Sequence, residues 1–379
     1  MGTLSYAHGL APSFIERITG EKIIDRTHSI KRPSTADEGD PRNLARTFAT
    51  FPEWYIVYSA QEYGQFLQSG GRPSNFPFFD AIEQYQMVEE KAIRAAGGWE
   101  QIDTTTQTVL TTIHWSYILE MAVIGTYEKT FGWITELLNF SYQTTEDIYI
   151  ATVAEEYGAF LTHTPWYEFP YDDTLIGLWS TYGWSSITPR GLERRISYTI
   201  GYTLKLVYAN IIGYISNTTF GGAHLMTALE VSPVYAERMQ DMPIINPIAH
   251  YETHISIEAP RYRKLLHVLY ELSERDIPIQ DIHGHTTISF SIVVHPTVKS
   301  CVLRVTAGTS TLLYTHPILI GKPQDWKLFA NIQRHYTHPY SLGDFSERMI
   351  FFAPVNTLTQ TLSQLLETCG VTIEHVYDY

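Results

Sequence analysis

The chain is short of charge. Only 17% of its 379 residues are Asp, Glu, Lys or Arg, against roughly a quarter in ordinary globular proteins. Within that small set acids outnumber bases 40 to 26, for a formal net charge of −14. With no Lys/Arg cluster anywhere, this balance excludes a nucleic-acid binder that works by neutralising phosphates. Cysteine is almost missing. Cys301 and Cys369 are too few for a disulfide-dense scaffold and too isolated for a zinc knuckle. If both face one core they approach each other, and free buried thiols fit the sequence equally well. The short motifs of familiar chemistry are missing too: no HExxH, no GxSxG elbow, no Walker glycine loop, no GxGxxG after a strand. The first twenty residues hold no apolar run of signal-peptide length, and Tyr6 breaks the myristoylation pattern that starts at Gly2. The expectation is a chain in the cytoplasm or peripheral to a membrane.

Aromatic residues are abundant, at 13%, with 26 Tyr and 8 Trp. Apolar residues at 44% exclude a disordered chain. Tyr and Trp suit places with one dry and one wet side, such as protein interfaces and the headgroup layer of a membrane. A surface with few charges and many aromatics is expected to be covered by a protein partner, a second copy of the chain or a membrane surface.

The hydrophobic period divides the chain. Residues 1–45 read as an extended N-terminal segment, with Lys31-Arg32-Pro33-Ser34 and Asp37-Glu38-Gly39-Asp40-Pro41 marking an exposed loop. Residues 46–222 read as a helical domain, 223–250 as a proline-punctuated linker, and 251–379 as a ferredoxin-like α+β domain. The fold class is therefore α+β, a mostly helical N-terminal domain followed by a ferredoxin-like C-terminal domain. Within the helical part, Phe51–Tyr58 reads as an aromatic run. Ser59 and Glu62 stand at capping-box spacing and predict a helix start at Ser59. A second helix is expected over Phe79–Ala96, and a third from Thr144 and Asp147, with Glu146, Glu155 and Glu156 on its polar side. Two long segments are nearly free of charge: Thr104–Tyr127 holds only Glu120, and Ile196–Phe220 only Lys205. Both match a bilayer in length, but their Thr, Ser, His and Asn content reads as buried or interfacial helix. If they lie together, Glu120 and Lys205 are placed to pair. In the last third, strands are expected at Thr253–Ile257, Ile277–Ile282, Thr286–Val294, Cys301–Thr306, Thr311–Thr315, Arg348–Ala353 and Val371–Tyr377. Helices are expected at Arg261–Glu274 and Asn356–Thr368.

Phe51-Pro52-Glu53-Trp54-Tyr55-Ile56-Val57-Tyr58-Ser59 and Thr164-Pro165-Trp166-Tyr167-Glu168-Phe169-Pro170 resemble signature stretches of a bacterial family without an established function. Leu192-Glu193-Arg194-Arg195 resembles a further one. The resemblance covers roughly residues 46–215 and implies no activity. It implies a hydrophobic N-terminal anchor, and this chain departs from that pattern.

The strongest candidate ligand site joins these motifs: Glu53, Trp54, Tyr55, His114, Trp166, Tyr167, Glu168, Arg194 and Arg195. Two carboxylates and a histidine suit acid–base or metal chemistry, and the rings supply a dry wall. The competing reading is structural: Glu53 and Glu168 cap amides or pair with Arg194 and Arg195, and the rings fill core. No catalytic residue is assigned. Metal is the second candidate, because 11 of the 15 histidines lie from His224 onward. His283 and His285 share a face if they sit on a strand. Scattered histidine is the better reading, so no metal and no cofactor are expected. The function expected is non-enzymatic binding or assembly through a charge-poor aromatic helical face. The alternative is an enzyme or metal protein with its site between the two aromatic motifs.

Overall fold

The computed structural model describes residues 44–139, 143–180, 188–220, 225–239, 242, 245–319 and 346–378. The helical part comprises α1 (Leu44–Gln68), α2 (Phe78–Ala95), α3 (Thr104–Tyr127), a π-helical turn (Glu128–Gly132), α4 (Trp133–Leu138), α5 (Thr145–Leu161), α6 (Tyr171–Ser180) and α7 (Pro189–Phe220). Strand structure follows: β1 (Met226–Val231), α8 (Ala236–Met239), β2 (Asn246–His250), β3 (Ile255–Pro260), α9 (Arg263–Glu274) and β4 (Ile279–Ile282). Then come β5 (Thr287–Val294), α10 (Lys299–Thr306), β6 (Thr311–Pro317), β7 (Glu347–Pro354), α11 (Val355–Cys369) and β8 (Ile373–Tyr377). The α+β expectation holds, a helical N-terminal region followed by antiparallel sheet with helices.

The ferredoxin-like arrangement occurs twice. One sheet has the order β2-β3-β1-β4 and the other β6-β7-β5-β8, both antiparallel throughout. In each, the first strand of a β-α-β-β-α-β unit lies between the third and the fourth. The stretch 223–250, read as linker, contributes β1 and β2 of the first unit. Helices α9 and α11 pack on each other, and each also touches the other unit's sheet. One hydrophobic core therefore runs through both units, including Leu229, Ile257, Leu269, Phe290, Phe351, Leu362 and Val376. Cys301 and Cys369 form a disulfide that ties α10 to the end of α11. Gly370 closes α11 in the left-handed conformation, accepting no side-chain penalty at φ 65°.

Three local expectations are corrected. Cys301–Thr306 is helix, not strand. Val302 and Thr306, four apart, are its buried positions, and the Thr306 hydroxyl donates to the Val302 carbonyl. Ser59 does not start a helix, because α1 runs unbroken from Leu44 through Pro52. Proline inside a helix forfeits one backbone bond. Here Phe51, Trp54, Tyr55 and Tyr58 are all buried around it, and their burial outweighs that loss. Glu146 is not solvated, since it lies under the helical part beside Arg195.

Helices α1 and α5 make the closest crossing. A Cβ on Gly64 would stand 2.6 Å from the Ala154 carbonyl oxygen, and one on Gly158 would stand 2.7 Å from the Gln61 Cα. Each glycine thus lets the opposite backbone in. Helix α5 begins where Thr144 and Asp147 mark its start, and the two form a capping box, with the Thr144 hydroxyl and the Asp147 carboxylate serving each other's amides.

Candidate functional site

The candidate residues from the two aromatic motifs lie on separate elements. Glu53 is exposed on α1. Trp54 and Tyr55 point the other way, into core. Trp54 stacks on His375 with ring centres 3.3 Å apart, and the Tyr55 hydroxyl donates to Gln84 at 3.3 Å. His114, half-buried on α3, holds Glu89 of α2 at 2.6 Å. Trp166, Tyr167 and Glu168 form one turn of 3-10 helix, where Trp166 stacks on Tyr208 of α7 and Glu168 is exposed. No hydrogen bond or ion pair joins Glu53, His114 and Glu168. Arg194 and Arg195 are fully buried and pair with neither Glu53 nor Glu168. His283 and His285 flank Gly284 in the turn after β4, with His283 at φ 52°, so they are not alternate positions of a strand. Among the described residues no group of three or more His, Cys, Asp or Glu is placed to hold a metal.

Two features replace the expected pocket. The first is a buried ionic network under α7. Arg190 binds Glu136 at 3.3 Å, Asp147 at 2.9 Å and Glu193 at 3.1 Å. Arg194 grips Glu128 through both terminal nitrogens, at 2.8 and 3.1 Å, and also holds Glu193. Arg195 donates twice to Glu146, at 3.0 and 2.8 Å. Burial raises the Glu128 carboxyl above its ordinary range despite Arg194. Burial acts the same way on Glu193, but bonds from Arg194 and Tyr127 outweigh it and hold that carboxyl low. Such groups survive burial because each guanidinium is held by charge-assisted bonds to a buried carboxylate. The sequence displayed Arg194 and Arg195. Arg190, Glu128 and Glu136 went unread and Glu146 was placed on a polar side, although Arg190 and Arg194 stand four apart on one helix face and could have been grouped.

A second polar seam joins α1 to the sheet of β5–β8. Tyr58 shares hydrogen bonds with Ser291, at 2.9 Å, and Tyr377, at 3.3 Å. Arg348 lies 3.8 Å over the Tyr58 ring and donates to Glu374 at 2.6 and 2.8 Å. Its bond to Glu62 is longer, at 3.3 Å. One guanidinium therefore serves two carboxylates and favours Glu374. Burial pushes Glu62 up to about 7, against the pull of Arg348. Burial and Arg348 together push His316 down to about 3, which keeps that ring neutral.

The second feature is the outer surface of the same helices. Helix α3 exposes Val109, Trp115, Leu119 and Val123, and the segment after it exposes Phe131, Trp133, Ile134, Leu137 and Leu138. Helix α7 exposes Ile196, Ile200, Leu204, Val207, Ile211 and Tyr214 at steps of three and four residues, a continuous stripe along one face. Trp115, Leu119 and Leu204 each leave about two-thirds of their surface open, at 64%, 65% and 66%. Lys205 and Glu120 pair across α7 and α3 at 2.7 Å, so the two stripes belong to neighbouring helices. Burial works against the Lys205 charge, and Glu120 more than restores it. Among the described residues no helix is long and apolar enough to cross a membrane. No protein-family model, no curated protein and no solved structure matches this chain.

Proposed function

We propose that the protein is a non-enzymatic binding or assembly protein that works through the outer face of α3, α4 and α7. The observation that carries this reading is the paired stripe of large apolar side chains on α3 and α7. Isolated monomers rarely keep contiguous apolar patches beyond a few hundred Å². Here more than a dozen such side chains stand open on adjoining helices. At roughly 25 cal/mol per Å² removed from water, covering even part of that face offsets the entropy of association. The buried arginine network then has a supporting role: it locks α7 to α4 and α5 from inside, so that the face is presented rigidly.

The test is light scattering of the full chain at micromolar concentration, with and without a mild non-ionic detergent above its micelle point. The chain should self-associate or take up a micelle. Leu119→Glu combined with Leu204→Glu should return it to a free monomer. A wild-type monomer that takes up no detergent would sink the reading.

A further inference from the structure

We infer that the apolar face of α3 and α7 docks on a neutral lipid surface, with the helices lying against the acyl-chain boundary and not crossing it. This rests on the binding role proposed above and names the occupant. Three observations separate lipid from a protein partner.

The first is the state of the charges. Between Thr104 and Tyr127, and again between Ile196 and Phe220, the single ionisable Asp, Glu, Lys or Arg of each segment is spent on the other: Glu120 on Lys205. A protein interface carries a polar rim and about one direct hydrogen bond per 100–200 Å². These two segments offer a protein no unpaired charge of that kind, whereas apolar surroundings tolerate a charge only when it is paired.

The second is the state of the hydroxyls. On the open side of α3, Thr108 donates to the Thr104 carbonyl, Thr111 to Gln107 and Thr112 to Thr108, at 2.9, 2.8 and 2.8 Å, and Ser116 donates to Ile113. These donors are turned back onto their own helix, so the face enters a dry medium without stranding them.

The third is the pattern of side chains. Helix α3 is apolar on both sides: Leu110, Tyr117 and Met121 face the core, while Trp115, Leu119 and Val123 face out. A helix with large apolar side chains on opposite faces normally has both faces covered. Trp115 is exposed on α3 with Leu119 and Val123, and Tyr208 and Tyr214 are exposed on α7 with Ile200 and Leu204. Rings with a polar edge next to aliphatic chains are the composition of a membrane–water boundary. The stripe from Ile196 to Tyr214 is about 27 Å long at 1.5 Å per residue, which suits a helix lying in the plane. The net charge of −14 points to zwitterionic and not anionic headgroups.

The experiment is flotation of the purified full chain with phosphatidylcholine vesicles, paired with tryptophan quenching by brominated acyl chains. The wild-type chain should float and be quenched. Leu119→Glu with Leu204→Glu should cut the floating fraction at least tenfold while leaving the circular-dichroism melt in place. Val234→Ser, at an exposed position in the α+β part, should float like wild type. A chain that stays at the bottom yet self-associates through the same two leucines would overturn the lipid assignment and leave the assembly role standing. A chain that neither floats, self-associates nor takes up detergent would overturn both. Flotation indifferent to the two leucines would also overturn the assignment.

Discussion

The two parts of the molecule differ in what they leave outside. In the α+β part the main core is hydrophobic, from Leu229 to Val376, its buried arginines among the described residues are two, Arg261 paired with Asp378 and Arg348 with Glu374, and large apolar residues reach the surface singly, as at Val234, Leu303 and Leu366. In the helical part, three arginines and the carboxylates of Glu128, Glu136 and Glu146 are buried, while Trp115, Leu119, Phe131, Ile200 and Leu204 are exposed. Water alone selects the first arrangement. The second is what the proposed lipid neighbour on the outside of the helices would account for. The polar interior supplies directional bonds between the helices, from Arg190, Arg194 and Arg195 of α7 to acids of α4, α5 and the π-helical turn.

The comparison breaks most easily at Arg195. Replacing it with methionine strands Glu146 without its guanidinium, and removing one partner of a buried pair costs about 3–5 kcal/mol. Chemical denaturation should show that loss, and the double change Arg195→Met with Glu146→Met should recover most of it. A loss below about 1 kcal/mol would mean that charge does not hold the helical interior together.

The seam between the two parts gives a pH signature. Glu62 ionises near 4.5 in an unfolded chain and is pushed up to about 7 in the fold. A carboxyl raised in the fold favours folding fully at low pH, and that contribution disappears as pH rises through the folded value. Relative to Glu62→Gln, the wild-type chain should lose about 3 kcal/mol of stability between about pH 4 and pH 8. Urea melts across that range check it, and a flat difference would mean that Arg348 holds Glu62 ionised throughout.

Gly64→Ala tests how closely α1 and α5 cross. Its methyl would meet the Ala154 carbonyl, which cannot swing away as a side-chain end would. The expected loss is about 1–3 kcal/mol in thermal or urea melts. The smallest effect is expected outside. Leu119→Glu, at an open position, should shift stability by no more than about 0.5 kcal/mol. A large loss there would show that the outer face is part of the fold and would remove the contrast.

Much of the local structure was legible. The helix start at Thr144 and Asp147 and the helical reading of Thr104–Tyr127 follow from local pattern, and the structure has them. The misreadings share a cause. Pro52 and Ser59 carry the local marks of a break and a cap, and Cys301–Thr306 alternates like a strand. In each case contacts from distant residues outweigh preferences worth a kcal/mol or so. Of the candidate site residues, the sequence singled out Arg194 and Arg195 but paired them with the wrong acids, because their partners lie 49 and 66 positions away.

The sequence by itself determined that this chain is acidic, charge-poor and aromatic, with helices giving way to strands. It also determined that two of its longest helical segments hold one charge each. Tertiary structure decided the rest. It paired Glu120 with Lys205, buried Arg190, Arg194 and Arg195, turned Ser289 and Ser291 inward on the side of β5 that a half-exposed strand would give to water, and left the leucines of α3 and α7 outside. The reason is physical. Composition and period fix which side chains a helix or strand carries on each face, but which face is covered depends on what folds against it, and that information lies far away in the chain.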